Sequence, residues 1–273
     1  MLLAVLILPA LGALYLSFVQ SSFGAEPVWV GLANYVQIFR DSGFWRALGN
    51  TAVFVNLVVY GELLLGLGMA VLFSRAFVLQ RLWISLIIAP YAVSSVIAVL
   101  MWKFILEPDT GVINYFLTTM GLDRILWTVY PVHAFLVVAL LEVWLNTPFT
   151  FLILYSAIRG VSPELYEAAK IDGANSFSLF RHITMPVIMP AVLVALMFRY
   201  IFAFRTFDVV WIMTQGGPLG STELLSIYLF RHGFRYYEFG VASATAWVMV
   251  ILTGLLSFFY LRALYLRMMR NGS

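Results

Sequence analysis

Five charged residues lie more than one helical turn from the ends of the hydrophobic stretches of this sequence: Glu62, Glu142, Arg199, Arg205 and Asp208. A charge at the centre of a lipid bilayer costs at least about 2.5–3.5 kcal/mol, so we expect each side chain to have a partner or a function. Carboxylates and guanidinium groups can hydrogen-bond the hydroxyls of a polyol, or they can form structural ion pairs between helices. The structural alternative pairs Arg199 with Glu142 and Arg205 with Asp208, and it gives Glu62 a role at a helix interface.

Spacings of three and four residues place several polar and aromatic side chains on common helical faces. The sets are Arg199, Phe202 and Thr206; Glu142, Leu145, Asn146 and Phe149; and Tyr91 with Ser95. Aromatic planes suit the apolar faces of a sugar ring, and amide, carboxylate and hydroxyl groups suit its hydroxyls. The three stripes therefore predict a site for a polyol.

The sequence lacks the residue patterns that metal binding or catalysis would need. The chain has no cysteine, and its three histidines, His133, His182 and His232, are not at the spacing of metal ligands. The sequence contains neither the phosphate-binding motif of ATPases nor the motifs of zinc or serine hydrolases. We predict no catalytic residue, no metal site and no enzyme activity in this chain.

The elements that must position these residues are membrane helices. Of the 273 residues, 63% are hydrophobic and 11% are charged, with a mean hydropathy of +0.95. Soluble domains are about 45–50% apolar and about 25% charged, so this composition indicates an integral membrane protein. The net charge of +3 gives no reason to expect nucleic-acid binding.

Apolar length predicts six transmembrane helices, because a span needs roughly 20 mostly apolar residues. They cover residues 2–19, 51–73, 82–104, 131–157, 186–213 and 239–261. The first is short, but no basic region precedes it and no clear cleavage site follows it, which disfavours a signal peptide. The predicted fold is an all-α integral membrane protein.

The distribution of lysine and arginine sets the predicted orientation. With both termini in the cytoplasm, eight basic residues lie inside and six outside. The eight are Arg75, Arg81, Arg159, Lys170, Arg181, Arg262, Arg267 and Arg270. The polar segment 158–185 is then cytoplasmic.

That segment contains the signals of a short capped helix. Ser162 suits the N-cap and Pro163 the first helical position, and Gly173 suits a left-handed C-cap. We predict a helix over residues 164–171.

A second helix is predicted to begin near Ser176 and to end before Pro186. The first helix carries Ala168 and Ala169, whose small side chains let another backbone approach closely. A helix of about two turns is marginal alone. The residues themselves leave two interpretations open, namely docking to a partner protein and lying on lipid headgroups.

The spacing Glu167-Ala168-Ala169, three residues, Gly173, nine residues, Ile183-Thr184-Met185-Pro186 resembles the EAA loop of permease subunits of binding-protein-dependent ABC importers. Met185 replaces the usual leucine. The resemblance implies six transmembrane helices and a cytoplasmic coupling helix in one permease domain, residues 1–273. It implies that this loop contacts the ATPase through Glu167, Ala168, Ala169, Asp172, Gly173, Ile183 and Pro186.

Further strings narrow the resemblance to carbohydrate and glycerol-phosphate importers, in particular to the first subunit of the maltose-permease type. They are "FDVVWIMTQGGP", "APYAVSSVIAVLMWKFILEPDTGVIN" and "FRYYEFGVASATA". The implied solute contacts are Tyr91, Ser95, Glu142, Leu145, Asn146, Phe149, Arg199, Phe202, Ala203 and Thr206. Glu142 and Arg199 replace neutral polar groups of the maltose type, which favours a solute with a charged group or simply a different sugar.

The resemblance also implies the partners. They are a second permease subunit, two ATPase subunits that hold ATP and Mg²⁺, an external solute-binding protein and a carbohydrate-like solute. The permease itself would need no cofactor and would lie in the bilayer of a prokaryotic cytoplasmic (inner) membrane. A secondary transporter or channel is the alternative, but it would not account for the EAA spacing. Some members of the family bind no solute in one of their two permease chains.

Overall fold

A computed structural model describes residues 2–24, 26–74 and 77–271. Arg75, one of the predicted cytoplasmic basic residues, lies outside them. The structure is mostly helical. In chain order the helices are α1 (Leu2–Ser17), α2 (Ala33–Arg40), α3 (Ser42–Phe73), α4 (Gln80–Ala92), α5 (Ser95–Ile105), α6 (Val112–Thr119), α7 (Pro131–Arg159), α8 (Pro163–Ile171), α9 (Ser176–Leu179), α10 (Met185–Ala203), α11 (Asp208–Met213), α12 (Leu225–Phe230) and α13 (Phe239–Asn271).

Two short strands, β1 (Val19–Gln20) and β2 (Val28–Trp29), pair antiparallel after α1. Two π-helical segments, Phe180–Thr184 and Arg231–Arg235, precede α10 and α13.

Among the described residues, four helical stretches are long and apolar enough to cross a membrane: Ser42–Phe73, Pro131–Arg159, Ser176–Ala203 and Phe239–Leu266. A bent pair of helices, α4 with α5, would make a fifth. The first predicted span is the 16-residue helix α1, which is shorter than the roughly 20 residues that a span needs. The structure thus shows a multi-pass helical protein with four to five spans, and the count of six stays a prediction.

The predicted span 82–104 is broken rather than continuous. Helices α4 and α5 meet at an angle of 98°, and Val93 between them is extended, with φ −87° and ψ 144°. Pro90, in the last turn of α4, cannot donate a backbone hydrogen bond, which favours an early end to that helix. As a result, Tyr91 and Ser95 lie on different helices and not on one stripe.

The predicted span 186–213 differs from the structure at both ends. Its helix begins ten residues earlier, at Ser176, and runs on to Ala203. The chain crosses Pro186 because Phe180–Thr184 is a π-helix, in which the Met185 N–H bonds the Phe180 carbonyl five residues back. The wider turn accommodates the missing N–H of the proline, so the prediction that a helix ends before Pro186 is wrong.

At its other end, α10 stops at Ala203, and α11 begins only at Asp208. Phe207, just before α11, has non-helical backbone angles. Thr206 therefore does not continue the helical stripe of Arg199 and Phe202.

The chain forms two compact units. Unit 1 comprises the chain up to Asn56, Val99–Ala139 and Phe204–Leu255, and unit 2 comprises Leu57–Ala98, Leu140–Ala203 and the chain from Leu256. The long helices α3, α7 and α13 contribute to both units. The core of unit 1 contains Ile38, Phe44, Ala47, Leu225, Tyr228, Val241 and Ala244. All the predicted site residues except Thr206 belong to unit 2.

Candidate functional site

Helix α8 is the predicted helix of the EAA loop, and it begins one residue earlier than predicted, at Pro163. Pro163 occupies the first helical position, where its missing N–H has no intrahelical partner to lose. Ser162 is at the N-cap position, but in the described structure its side chain makes no capping hydrogen bond. Proline, rather than the serine side chain, thus marks the start of this helix.

The end of α8 is a hydrogen-bonded glycine cap. Gly173 has a φ of +81°, which is the left-handed conformation that glycine adopts without a steric penalty. Its N–H bonds the Lys170 carbonyl at 3.0 Å, and the Ala174 N–H bonds the Ala169 carbonyl at 2.9 Å. These two bonds define a Schellman motif, which satisfies carbonyls that the helix end would leave free.

Helix α8 presents nearly all of its surface to solvent. Within unit 2, none of its residues is buried, and Ile171 is 87% exposed. Of the predicted ATPase contacts, Glu167, Ala168, Asp172, Gly173 and Pro186 are exposed, whereas Ala169 and Ile183 are half-buried. This surface, which combines charged and small side chains, is available to a partner protein.

One hydrogen bond connects Tyr166 of α8 to the π-helix before α10. The Tyr166 and Thr184 hydroxyls are 3.0 Å apart, and Thr184 is buried. The following helix, α9, begins at the N-cap Asn175, whose side-chain oxygen accepts the Ser178 N–H at 2.8 Å.

A second candidate site is a buried charged cluster between α3, α7 and α10. The Arg199 guanidinium donates from Nε and from Nη2 to the two carboxylate oxygens of Glu62, with an Nη2–Oε1 distance of 2.7 Å. Arg199 Nη1 donates to Asn146 Oδ1 at 3.2 Å, and Arg199 Nη2 is 3.6 Å from Glu142 Oε1. Asn146 Nδ2 in turn donates to Glu142 Oε1 at 3.0 Å.

The partners in this cluster differ from the pairs that the sequence suggested. Arg199 and Glu142 do form an ion pair, but the two-point partner of Arg199 is Glu62. The relative exposures of Arg199, Glu62 and Glu142 are only 2%, 0% and 6%. The members of the other suggested pair, Arg205 and Asp208, are exposed and lie beyond the end of α10.

Close approach of α3 and α7 brings Glu62 to the cluster. An added Cβ at Gly61 would lie 3.3 Å from Val143, and one at Gly66 would lie 3.0 Å from the Phe151 backbone nitrogen. Small residues permit such contacts between membrane helices. Sequence reasoning missed this pairing, although Gly61 beside Glu62, and Gly66 about a turn and a half later, could have indicated a close helix contact.

Beside the cluster lies a group of aromatic rings. The Phe149 ring is 6.1 Å from Tyr91, 6.1 Å from Phe202 and 6.4 Å from Phe198, measured between centroids. Phe198 and Phe202 stack at 6.2 Å. Tyr91, Phe198 and Phe202 are exposed within this chain. Phe198 was not among the predicted residues, although its spacing of four from Phe202 could have indicated it.

The structure therefore brings six of the ten predicted solute contacts into two adjoining groups. The charged cluster holds Glu142, Asn146 and Arg199, and the aromatic group holds Tyr91, Phe149 and Phe202. The remaining four are Leu145 and Ala203, which are buried, Ser95, which is half-buried on α5, and Thr206, which is buried beyond the end of α10.

The chain matches a known family of membrane proteins over most of its length. Residues 62–270 match the family described as "Binding-protein-dependent transport system inner membrane component". Because this match covers well over half of the chain, the protein belongs to that family. It is a multi-pass membrane protein, the permease of a binding-protein-dependent importer.

Curated relatives are similar over almost the whole chain. The trehalose/maltose transport system permease protein MalF of Thermococcus litoralis is 31% identical over 261 residues, covering 95% of this chain and 88% of that protein. The sulfoquinovosyl glycerol transport system permease protein SmoG of Agrobacterium fabrum is 34% identical over 261 residues, covering 94% and 84%. The probable ABC transporter permease YesP of Bacillus subtilis is 35% identical over 256 residues, covering 92% and 82%.

Solved structures show the same fold. A chain of a bacterial ABC transporter involved in the import of the acidic polysaccharide alginate matches with a TM-score of 0.85 at 23% identity, covering 96% of this chain and 90% of that one. A chain of the MetNI methionine ABC transporter matches with a TM-score of 0.59 at 18% identity, covering 81% and 94%.

Proposed function

We propose that this permease forms, with a second permease subunit, the path of a sugar or sugar-like solute delivered by an external binding protein. Two ATPase subunits, which hold ATP and Mg²⁺, supply the energy on the cytoplasmic side. Six spans, with both termini in the cytoplasm of a prokaryotic cell, complete the proposed architecture. The names of the relatives support the solute class, since trehalose/maltose and sulfoquinovosyl glycerol are both carbohydrate in nature.

The observation that carries the proposal is the exposed, capped helix α8 with the EAA spacing. A helix of nine residues without buried side chains has little reason to be stable alone. Its Schellman cap and its proline start hold it helical, and its alanines leave room for a partner backbone. We propose that it is the coupling helix and that it occupies a groove of an ATPase subunit.

For the solute, the aromatic group of Tyr91, Phe149, Phe198 and Phe202 is the proposed contact surface. Aromatic faces stack on the apolar side of a sugar ring, and Tyr91, Phe198 and Phe202 are exposed within this chain. The charge of Arg199 is compensated by Glu62, so the cluster has no free cation with which to hold an acidic solute. We therefore propose a neutral sugar at this surface.

Reconstitution tests the proposal. The complex, purified with its ATPase, second permease and binding protein, should take up sugar into proteoliposomes only with internal ATP and external loaded binding protein. Uptake by this chain alone under a proton or sodium gradient would overturn the proposal in favour of a secondary transporter. Co-purification of the ATPase with the wild-type chain is the first, cheaper observation.

A further inference from the structure

The hydrogen bond between Tyr166 and Thr184 lies in the wall of a cavity. This cavity of about 560 Å³ is lined by residues of α8 and by Val71 near the end of α3, Ile158 near the end of α7, and Thr184. The Tyr166–Thr184 bond is therefore a direct side-chain link between α8 and the π-helix beside open space.

Thr184 has a second, longer contact. Its hydroxyl is 3.4 Å from the Leu179 carbonyl, and either hydroxyl of the Tyr166–Thr184 pair can donate in the bond between them. A short relay of contacts thus begins at Tyr166 on α8 and runs through Thr184 to the backbone of Leu179, just before the π-helix.

The relay ends at the π-helix, which is a deformable part of the longer helix. Pro186 follows it by two residues and contributes no N–H, so the helix has fewer backbone bonds here than in a regular stretch. π-helical turns inside longer helices are frequent at functional sites. From Thr184, α10 continues to Arg199 and the buried charged cluster.

We propose that Tyr166 and Thr184 are positioning residues that transmit displacement of α8 to α10, so that their hydrogen bond sets how much solute moves per ATP hydrolysed. The inference rests on the proposed function, because it requires α8 to be the helix that an ATPase moves. It adds the side chains that carry the motion onward, independently of the main-chain connection through Asp172–Asn175.

The test uses Tyr166→Phe, Thr184→Val and the double variant in the complete reconstituted complex. Both substitutions keep side-chain shape and remove one hydroxyl. Thr150→Val is the matched control, because Thr150 is also a buried threonine in unit 2, and its hydroxyl has no hydrogen-bond partner among the described residues. The measurements are complex yield, ATPase rate stimulated by loaded binding protein, and uptake in the same vesicles.

Each single variant should lower the ratio of uptake to ATP hydrolysed by about two- to tenfold, the range expected for one lost hydrogen bond. Complex yield should stay normal, and the double variant should match Thr184→Val, because that substitution alone already removes both contacts of the Thr184 hydroxyl. An unchanged ratio, additive losses, or a loss of complex yield that explains the reduced uptake would each overturn the inference. If instead the wild-type complex shows no ATPase stimulation by the binding protein, the proposed function itself fails.

Discussion

Arg199 and Glu62, which are 137 residues apart in the chain, form a buried two-point ion pair between α10 and α3. Two parallel hydrogen bonds fix both the distance and the orientation of the two side chains. Glu142 approaches the same guanidinium at 3.6 Å and shares Asn146 with it. The three charged groups of Glu62, Glu142 and Arg199 therefore have unequal roles, and single substitutions should distinguish these roles.

Arg199→Gln and Glu62→Gln should each destabilise the complex. Arg199→Gln leaves two buried carboxylates without their cation, and Glu62→Gln leaves Arg199 with only its longer contact to Glu142. Removing one partner of a buried pair costs about 3–5 kcal/mol. Thermal melting of the purified complex measures this loss. The triple variant Glu62→Leu/Glu142→Gln/Arg199→Met should recover much of it, since a buried ion pair can be replaced by apolar side chains of similar volume and the second carboxylate beside Arg199 is then also uncharged. A triple variant as unstable as the singles would show that the buried charges are not the source of the effect.

Glu142→Gln should leave assembly largely intact. It keeps the side-chain shape and a carbonyl oxygen that can still accept from Asn146, while Arg199 retains Glu62. If Glu142 helps to define the solute, uptake rate or preference among sugars will change although the melting temperature does not. Uptake and preference equal to those of wild type would remove Glu142 from the solute site.

Tyr91→Ala and Phe202→Ala should reduce sugar uptake while the complex still forms. Both rings are exposed within this chain and adjoin Phe149, so their loss removes stacking surface but little buried core. Phe259→Ala is the matched control, because Phe259 is an exposed aromatic residue of α13 outside this group. Equal reductions in all three variants would indicate a general effect of removing exposed rings.

Gly173→Ala should weaken the association of the permease with its ATPase. No atom lies within 4 Å of an added Cβ, so the penalty comes from the left-handed backbone and amounts to about 1–2 kcal/mol. Gly160→Ala provides the comparison, because Gly160 has no positive φ and its nearest contact to an added Cβ is 3.5 Å. Co-purification of the ATPase measures the effect, and equal loss in both variants would contradict the role of the cap.

The orientation can be tested with single cysteines, since the chain has none of its own. Ile171 is 87% exposed on α8, and Leu219 is 89% exposed in the segment predicted to lie outside. In spheroplasts, an impermeant maleimide should label Leu219→Cys and not Ile171→Cys, and inverted vesicles stripped of the ATPase should give the reverse. Labelling of residue 171 from outside would invert the topology and remove the coupling role of α8.

Local signals account for the parts of the structure that the sequence predicted well. Proline at the first position and glycine past the end define α8 within one residue, because both act on the backbone angles of their own positions. Helix α7 likewise begins where its apolar segment begins, at Pro131. Such features depend on neighbours in sequence and can be recognised there.

The parts that were missed depend on contacts or on competing local effects. Glu62 and Arg199 are on α3 and α10 and meet only in the packed bundle, where α3 also approaches α7 closely at glycines, and apolar length carries no information on such packing. Pro186 is compatible with a helix because the preceding π-helix compensates for it, whereas Pro90 precedes a break. The same residue type therefore has opposite outcomes, and composition alone could not distinguish them.

The break between α4 and α5 restricts what can surround it within a membrane. Each helix end leaves backbone carbonyls or N–H groups without intrahelical partners, and hydrocarbon offers them none. Within a bilayer, such a bend is tolerated only where protein covers it or where it borders water. We therefore expect Val93 and Ser94 to face hydrated or protein-lined space rather than acyl chains. Main-chain polarity would then persist at this point even if the side chains around it changed.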